Sequence, residues 1–194
     1  MMNTMKRVFA GLMCVGATAV FAGYADAQGT PKPSQPASVS QTIGTKNKIT
    51  ITYHRPGVKG RNVWQDRSDN EQIGPLVPRD GKPRPWRAGA NNSTSIEFTE
   101  DVKIGGKDVP AGKYAIFMIP TDDEWVVIIN KKVQWGSFTY DKESDVARVS
   151  VKPQDALHQE WLVYGFENPG AYSTTAYLRW EKVKIPFEIS MDEK

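Results

Sequence analysis

The chain has almost no cysteine and little histidine. Its 194 residues include one cysteine, Cys14, and two histidines, His54 and His158. Because Cys14 lies in an N-terminal apolar segment of the kind removed on export, the mature chain is predicted to contain no cysteine. Disulfide bonds, thiol nucleophiles, cysteine-ligated zinc sites and iron–sulfur clusters are therefore excluded. The histidines lie far apart and lack metal-ligand spacing, so the sequence predicts no cofactor and no metal site.

An excess of charge of one sign is also missing. The chain has 25 basic and 22 acidic residues, a formal net charge of +3. Residues 1–27 carry Lys6, Arg7 and Asp26, so the remainder keeps 23 basic and 21 acidic residues and a net charge of +2. Nucleic-acid binders carry a clustered basic face, and this balance is too mild for one. We predict no nucleic-acid partner.

The N-terminus has the three parts of a secretory signal peptide. A short basic start precedes the apolar run Val8–Phe21, and Ala25 and Ala27 provide the small residues that signal peptidase needs. The run is shorter than the ~20 apolar residues of a membrane-spanning helix. We predict cleavage after Ala27, with no membrane span afterwards and a periplasmic or extracellular location. Residues 28–37, rich in proline, serine and glutamine, are predicted to be a flexible leader.

Alternating apolar and polar residues predict strands along most of the remaining chain. Ile49, Ile51 and Tyr53 share one face of a strand. The runs 114–120 and 124–130 are apolar on both faces, as in strands buried inside a sandwich. Further runs with strand character are 95–99, 146–152, 160–166, 174–180 and 183–189.

Turn residues separate these runs. Gly105 and Gly106 fall between two short strands in 102–109, where a tight hairpin turn needs positive φ. Pro186 cannot donate a ladder hydrogen bond, so we place the last strand at a sheet edge. No segment has helical spacing over three turns. The sequence therefore predicts an all-β fold, a single-domain antiparallel β-sandwich of about ten short strands over residues 38–190, with one long loop.

The long loop, 55–92, is the candidate functional segment. It contains few apolar positions and many cations, and its two ends, "RPGVKGR" and "PWRAGANNST", each place arginine beside glycine. Arginine binds carboxylate, phosphate or sulfate in a planar fork, glycine lets a ligand approach the backbone, and Trp64 or Trp86 could stack on a sugar. The alternative is structural: Arg55 or Arg87 pairs with a buried carboxylate and pins the loop to the sandwich.

The segments "SQTIG", "ITITYHRPGVKGR", "WRAGANNSTSIEF", "VKIGGKDVPAGKYAIFMIP", "EWVVIINK" and "QWGSFTYDKESDVARVSVKP" resemble the family of secreted bacterial proteins catalogued as domain of unknown function 2911. The resemblance covers about Ser38 to Ile189 and implies export and a predominantly β domain. It supplies no activity. This chain departs from the family in a longer link after "KGR" and in His54, where serine is more frequent. By resemblance, the family-like polar positions are Arg55, Lys59, Arg61, Arg87, Asn91 and Tyr140.

Three functions remain open at this stage. The first is a non-catalytic binding module of the envelope for a small anionic or glycan ligand, and protein partners stay undefined. Its predicted ligand-binding residues are Arg55, Lys59, Arg61, Trp86, Arg87, Asn91 and Tyr140. The second is a structural or assembly protein that uses an edge strand or an aromatic patch. The third is a hydrolase, for which His54 or a carboxylate such as Asp141, near Tyr140, would be the general base. We favour the first, because cations, glycines and tryptophans occur together in one long loop. The hydrolase is disfavoured because no catalytic constellation is visible in the sequence.

Overall fold

The computed structural model describes residues 32–64, 85–120, 123–134 and 140–193. The predicted signal peptide, 1–27, lies outside the described residues, as do residues 28–31 of the predicted leader and positions 65–84 of the long loop. The described part contains ten strands: β1 Gln35–Ile43, β2 Asn47–Arg55, β3 Ser95–Phe98, β4 Val102–Ile104, β5 Lys107–Val109, β6 Gly112–Ile119, β7 Trp125–Asn130, β8 Asp145–Val151, β9 Gln154–Glu167 and β10 Ser173–Ser190. Strand β1 begins inside the segment predicted as leader, because Gln35 already pairs with Arg55 of β2.

Six strands form one antiparallel sheet in the order β1-β2-β3-β6-β7-β8. The alternation seen in β2 is borne out, since Ile49, Ile51 and Tyr53 are buried. The central strands β6 and β7 are buried on both faces, as their continuous apolar sequences predict. Phe117 and Ile128, for example, belong to a small apolar cluster separate from the main core.

The other four strands form a second antiparallel sheet in the order β5-β4-β10-β9. The β4–β5 hairpin turns at Gly105 and Gly106, which have φ of 51° and 78° as predicted. The two sheets pack as a sandwich around one main core, and the predicted all-β antiparallel sandwich is confirmed.

Two sequence predictions about the C-terminal strands are wrong. The runs 174–180 and 183–189 belong to one 18-residue strand, β10, and this strand lies between β4 and β9 rather than at an edge. Pro186 is tolerated there because it falls between the two ladders. Pairing with β9 ends at Lys184, and pairing with β4 begins at Ile189.

The β9–β10 hairpin is strongly bent. Lys184 pairs with Gln154, at one end of β9, and Glu167 lies thirteen residues further along the same strand. In a straight strand these thirteen residues would span about 43 Å at ~3.3 Å per residue. The Lys184 ammonium nevertheless lies 2.6 Å from a Glu167 carboxylate oxygen. The register shifts on either side of Glu181, whose φ is 53°, provide the bend. Because both ion-paired residues are on the outer face, that face is concave.

Four tryptophans fill one part of the core. Trp64 makes edge-to-face contacts with Trp86, Trp125 and Trp180, at centroid distances of 5.3–6.2 Å. Trp86 is stacked on Trp180 at 6.1 Å. Aromatic pairs of this kind add ~0.5–1.5 kcal/mol each beyond the area they bury. The cluster joins both sheets and both described ends of the long loop.

Candidate functional site

The first end of the long loop is joined to the edge of β9. Leu162 donates its amide to the Pro56 carbonyl at 3.0 Å, and the Val58 amide donates to the Glu160 carbonyl at 2.8 Å. Gly57 and Trp161 form the antiparallel bridge between them. Beyond Arg55, the chain that forms β2 in the six-stranded sheet therefore pairs with β9 at the edge of the four-stranded sheet. The cations of this segment lie beside β9.

Two of the predicted arginines bind main-chain oxygens. Arg55 donates from Nε to the Leu162 carbonyl at 3.0 Å. Arg61 donates from Nη2 to the Gly57 carbonyl at 2.6 Å and from Nε to the Val58 carbonyl at 3.0 Å. Carbonyl oxygens carry no net charge, so both guanidinium groups keep their positive charge uncompensated. The remaining Nη hydrogens of Arg55 have no hydrogen-bond partner among the described residues.

Lys59 places a third cation over an exposed aromatic ring. Its φ is 50°, its amide donates to Glu160 Oε1 at 2.8 Å, and its Nζ lies 5.8 Å from the centroid of Trp161. Trp161 is 39% exposed. Its ring packs beside Gly57, where a Cβ would lie 3.1 Å from it. The pKa of Glu160 lies below its usual value, chiefly because its carboxylate accepts the hydrogen bond from the Lys59 amide. The contact with His158 lowers this pKa further.

The charge around this part of β9 is strongly unbalanced. Of the five arginines that the structure describes, only Arg148 forms an ion pair with a described residue, with Asp145 at 2.7 Å. Arg55 and Arg61 contact β9 or the loop paired with it, and Arg179 donates from Nη2 to Gln159 Oε1 at 2.6 Å. None of these three guanidinium groups forms an ion pair with a described carboxylate, and among them only Arg61 is close enough to Glu160 to help lower the pKa of that carboxyl.

The second end of the loop meets the first through its backbone. Gly89 packs against the His54 carbonyl, which a Cβ at that position would approach to 3.3 Å. Trp86 and Met118 form a bridge next to it. The two arginine–glycine segments are therefore neighbours, as the binding hypothesis requires, but their side chains point in different directions.

The side chains of the second end do not join the cations of the first. Trp86 is buried in the tryptophan cluster, so its ring is not open to a ligand. Side chains alternate along the chain, so Arg87 points to the opposite face, where its half-buried guanidinium has no described partner and burial lowers its pKa. Asn91, with φ of 55°, donates from Nδ2 to the Ser34 carbonyl at 3.1 Å and fixes the chain entering β1.

Tyr140 belongs to a separate polar network. Its hydroxyl donates to Asp145 Oδ2 at 2.6 Å and accepts from Arg148 at 2.8 Å. Asp145 also accepts from the buried Asn130, so the network is fully paired. Burial and the bond to Asp145 raise the pKa of Tyr140 to about 12. The phenol therefore stays protonated at neutral pH, which suits a structural donor better than a base.

The geometry gives the hydrolase alternative no support. His54 lies on β2, where burial lowers its pKa, and three strands separate β2 from β8, a distance of about 19 Å at ~4.8 Å per strand. Asp141, beside β8, is instead paired with Lys132 at 2.6 Å. Within the described residues, no three histidine or acidic side chains are arranged to hold a metal ion.

A family model with the description "Protein of unknown function (DUF2911)" matches residues 34–189. The chain belongs to this family. The match covers every described strand except Ser190, the last residue of β10. No curated protein and no solved structure matches the chain. The part of the chain that the structure describes has no helix long and apolar enough to cross a bilayer.

Sequence reasoning missed several residues around the loop cations. Trp161, Glu160, His158 and Arg179 lie on β9 and β10, in runs whose pattern indicates only strands. One signal was present: Trp161 precedes Leu162, and in an alternating strand with Leu162 in the core, a tryptophan at 161 must face outward. The pairing of 56–58 with 160–162, which no local pattern reveals, is what brings these residues to the loop.

Proposed function

We propose that this member of the family is an exported, non-catalytic binding module whose ligand is anionic or a glycan. The site is the loop 55–61 with the adjoining part of β9, and Trp161 provides the aromatic surface. Arg55, Lys59 and Arg61 provide the positive charge. The signal peptide predicted for residues 1–27 supports an envelope or extracellular setting.

One observation carries the proposal. An exposed tryptophan lies beside Gly57 with a lysine ammonium 5.8 Å from its ring, next to guanidinium groups that have no carboxylate partner among the described residues. An exposed indole is a stacking surface for the apolar face of a sugar, and uncompensated guanidinium groups favour an anion. Glu160 accepts the Lys59 amide, so it orders the loop instead of neutralising the lysine side chain.

The proposal is tested by glycan binding to the mature protein. An array that pairs uronate-containing oligosaccharides with neutral ones of equal length selects a binder, and titration calorimetry measures its Kd. We expect Trp161→Ala to weaken binding at least tenfold. Leu157→Ala, which removes an 86% exposed apolar side chain from the same strand, is the matched control and should have no effect.

The catalytic alternative is tested on the same samples. The bound oligosaccharide should be recovered with unchanged mass after prolonged incubation. Failure of every glycan on the array and of the simple anions phosphate and sulfate to bind, or equal losses in the Trp161 and Leu157 variants, would refute the proposed function. Shortening of the oligosaccharide would show that the protein is an enzyme.

A further inference from the structure

A second aromatic ring lies over a glycine on the outer face of the β9–β10 hairpin. Leu162 and Tyr164 face the core, so the alternate residues Trp161, Val163 and Gly165 face outward. Tyr177 is the cross-strand partner of Gly165, and its ring lies where a Cβ on Gly165 would be, with Cζ at 2.5 Å. The Tyr177–Gly165 pair therefore resembles the Trp161–Gly57 pair.

The two aromatic positions are separated by about four residues of β9, or about 13 Å at ~3.3 Å per residue. This spacing is longer than a single sugar ring. They lie on one face, and that face is concave because the hairpin is bent. A ligand that contacts both must be a short chain rather than a single sugar.

Arg179 lies between the two aromatic residues. It is the cross-strand partner of Val163, which stands midway between Trp161 and Gly165. Gln159 fixes its position, because Gln159 accepts from Arg179 Nη2 at 2.6 Å and donates to the Trp161 carbonyl at 3.1 Å. Arg179 has no ion pair with a described residue, and its buried Nε has no hydrogen-bond partner. A partly buried guanidinium without a counter-charge is a strong site for a carboxylate.

Lys184 closes the far end of this surface. Its ammonium lies 5.0 Å from the Tyr177 centroid and is already neutralised by both carboxylate oxygens of Glu167, at 2.6 and 2.7 Å. The unpaired charge therefore lies at Arg179 and at the loop cations beside Trp161, and the surface is most positive over that half.

We propose that the outer face of β9–β10, from Trp161 to Tyr177, binds an acidic oligosaccharide, with Arg179 as the residue that binds a uronate carboxylate. This inference rests on the proposed function and extends it. It adds Arg179 and Tyr177 to the site and specifies a chain of several sugars that carries carboxylates.

The test uses the mature protein and galacturonate oligomers of one to six residues, each with its carboxyl-reduced counterpart. Affinity should rise at least tenfold between the monomer and the tetramer and then level off. Arg179→Gln should shrink the preference for acidic over carboxyl-reduced oligomers about tenfold. Lys48→Gln, an exposed cation on the other sheet, is the control and should leave that preference unchanged.

Tyr177→Leu should remove the advantage of the tetramer while leaving the affinity of the monomer unchanged, since leucine still covers Gly165. Thermal melting of each variant checks that it is folded, and the chain-length series on the unaltered protein remains decisive if a variant is not. Binding that requires Trp161 but is indifferent to chain length and to Arg179 would overturn this inference and leave the proposed function intact. If no oligogalacturonate binds at millimolar concentration, the inference is refuted, and the glycan array then decides the proposed function separately.

Discussion

Replacing Arg55 with alanine separates a structural role from a ligand-binding role. In the folded protein, the charged Nε donates to the Leu162 carbonyl at 3.0 Å and links β2 of one sheet to β9 of the other. Hydrogen bonds that involve a charged group contribute about 1.5–3 kcal/mol, roughly twice as much as those between neutral groups. We therefore expect Arg55→Ala to lower the free energy of unfolding by about 1.5–3 kcal/mol.

The same loss can be expressed as a melting temperature. For a domain of 150–250 residues, 1 kcal/mol corresponds to about 2–4 °C, so Tm should fall by roughly 3–12 °C. Urea unfolding followed by tryptophan fluorescence is the appropriate assay, because four tryptophans are packed together in the core. Calorimetry at one scan rate provides the Tm.

Arg87→Ala is the matched control for this experiment. Arg87 is also partly buried, but its guanidinium makes no hydrogen bond or ion pair with a described residue, and burial lowers its pKa. Its removal should change the free energy of unfolding by less than about 0.5 kcal/mol. If Arg55→Ala lowers the free energy of unfolding no more than Arg87→Ala while it abolishes ligand binding, the structural role of the Arg55–Leu162 hydrogen bond is refuted, and Arg55 acts only on the ligand.

Three further predictions concern other parts of the fold. Gly105→Ala should cost more stability than Gly106→Ala in urea unfolding, because both have positive φ but only a Cβ on Gly105 meets Val149; equal losses would refute the steric argument. Because the pKa of Glu160 is lower in the folded protein, its carboxylate contributes to stability above the ordinary glutamate pKa, and this contribution is lost as the pH falls through the pKa of the folded protein. Glu160→Gln should therefore flatten the decrease in the free energy of unfolding between pH 5 and 3. Tyr140→Phe should remove from the ultraviolet pH titration one phenol with a pKa of about 12, and loss of a phenol that titrates near 10 would contradict the network.

The sandwich was predictable because burial alternates with period two. A residue such as Ile51 in β2 needs only its own neighbours to be assigned to a face, and Gly105-Gly106 needs only its turn chemistry. The position of β10 was not predictable in the same way. Pro186 indicates an edge strand only if its nitrogen, which has no hydrogen to donate, faces an adjacent strand. In β10 it instead lies between the segment paired with β9 and the segment paired with β4, and this arrangement depends on pairing across the whole chain.

Part of the candidate site could be predicted from the sequence, for the same physical reason. The cations Arg55, Lys59 and Arg61 share one loop, so a local pattern finds them. The positions of Arg55 and Lys59 depend on contacts with β9, more than a hundred residues away. The same loop pattern grouped Arg87 with them, although the alternation of side chains directs Arg87 away from Trp86 and from these cations. The family resemblance added Tyr140, which belongs to the separate network with Asp145.

Glycine is the residue that links fold and site in this chain. At Gly57 and at Gly165, the missing side chain leaves a cross-strand gap that an aromatic ring from the neighbouring strand covers. A tryptophan or tyrosine held flat in this way keeps one face on the sheet and presents the other toward the outer surface. Alanine at either position would push the ring away from the backbone, so the flatness of this surface depends on these two glycines. If sugars bind here, Gly57→Ala should weaken binding although position 57 contributes no side chain to the ligand.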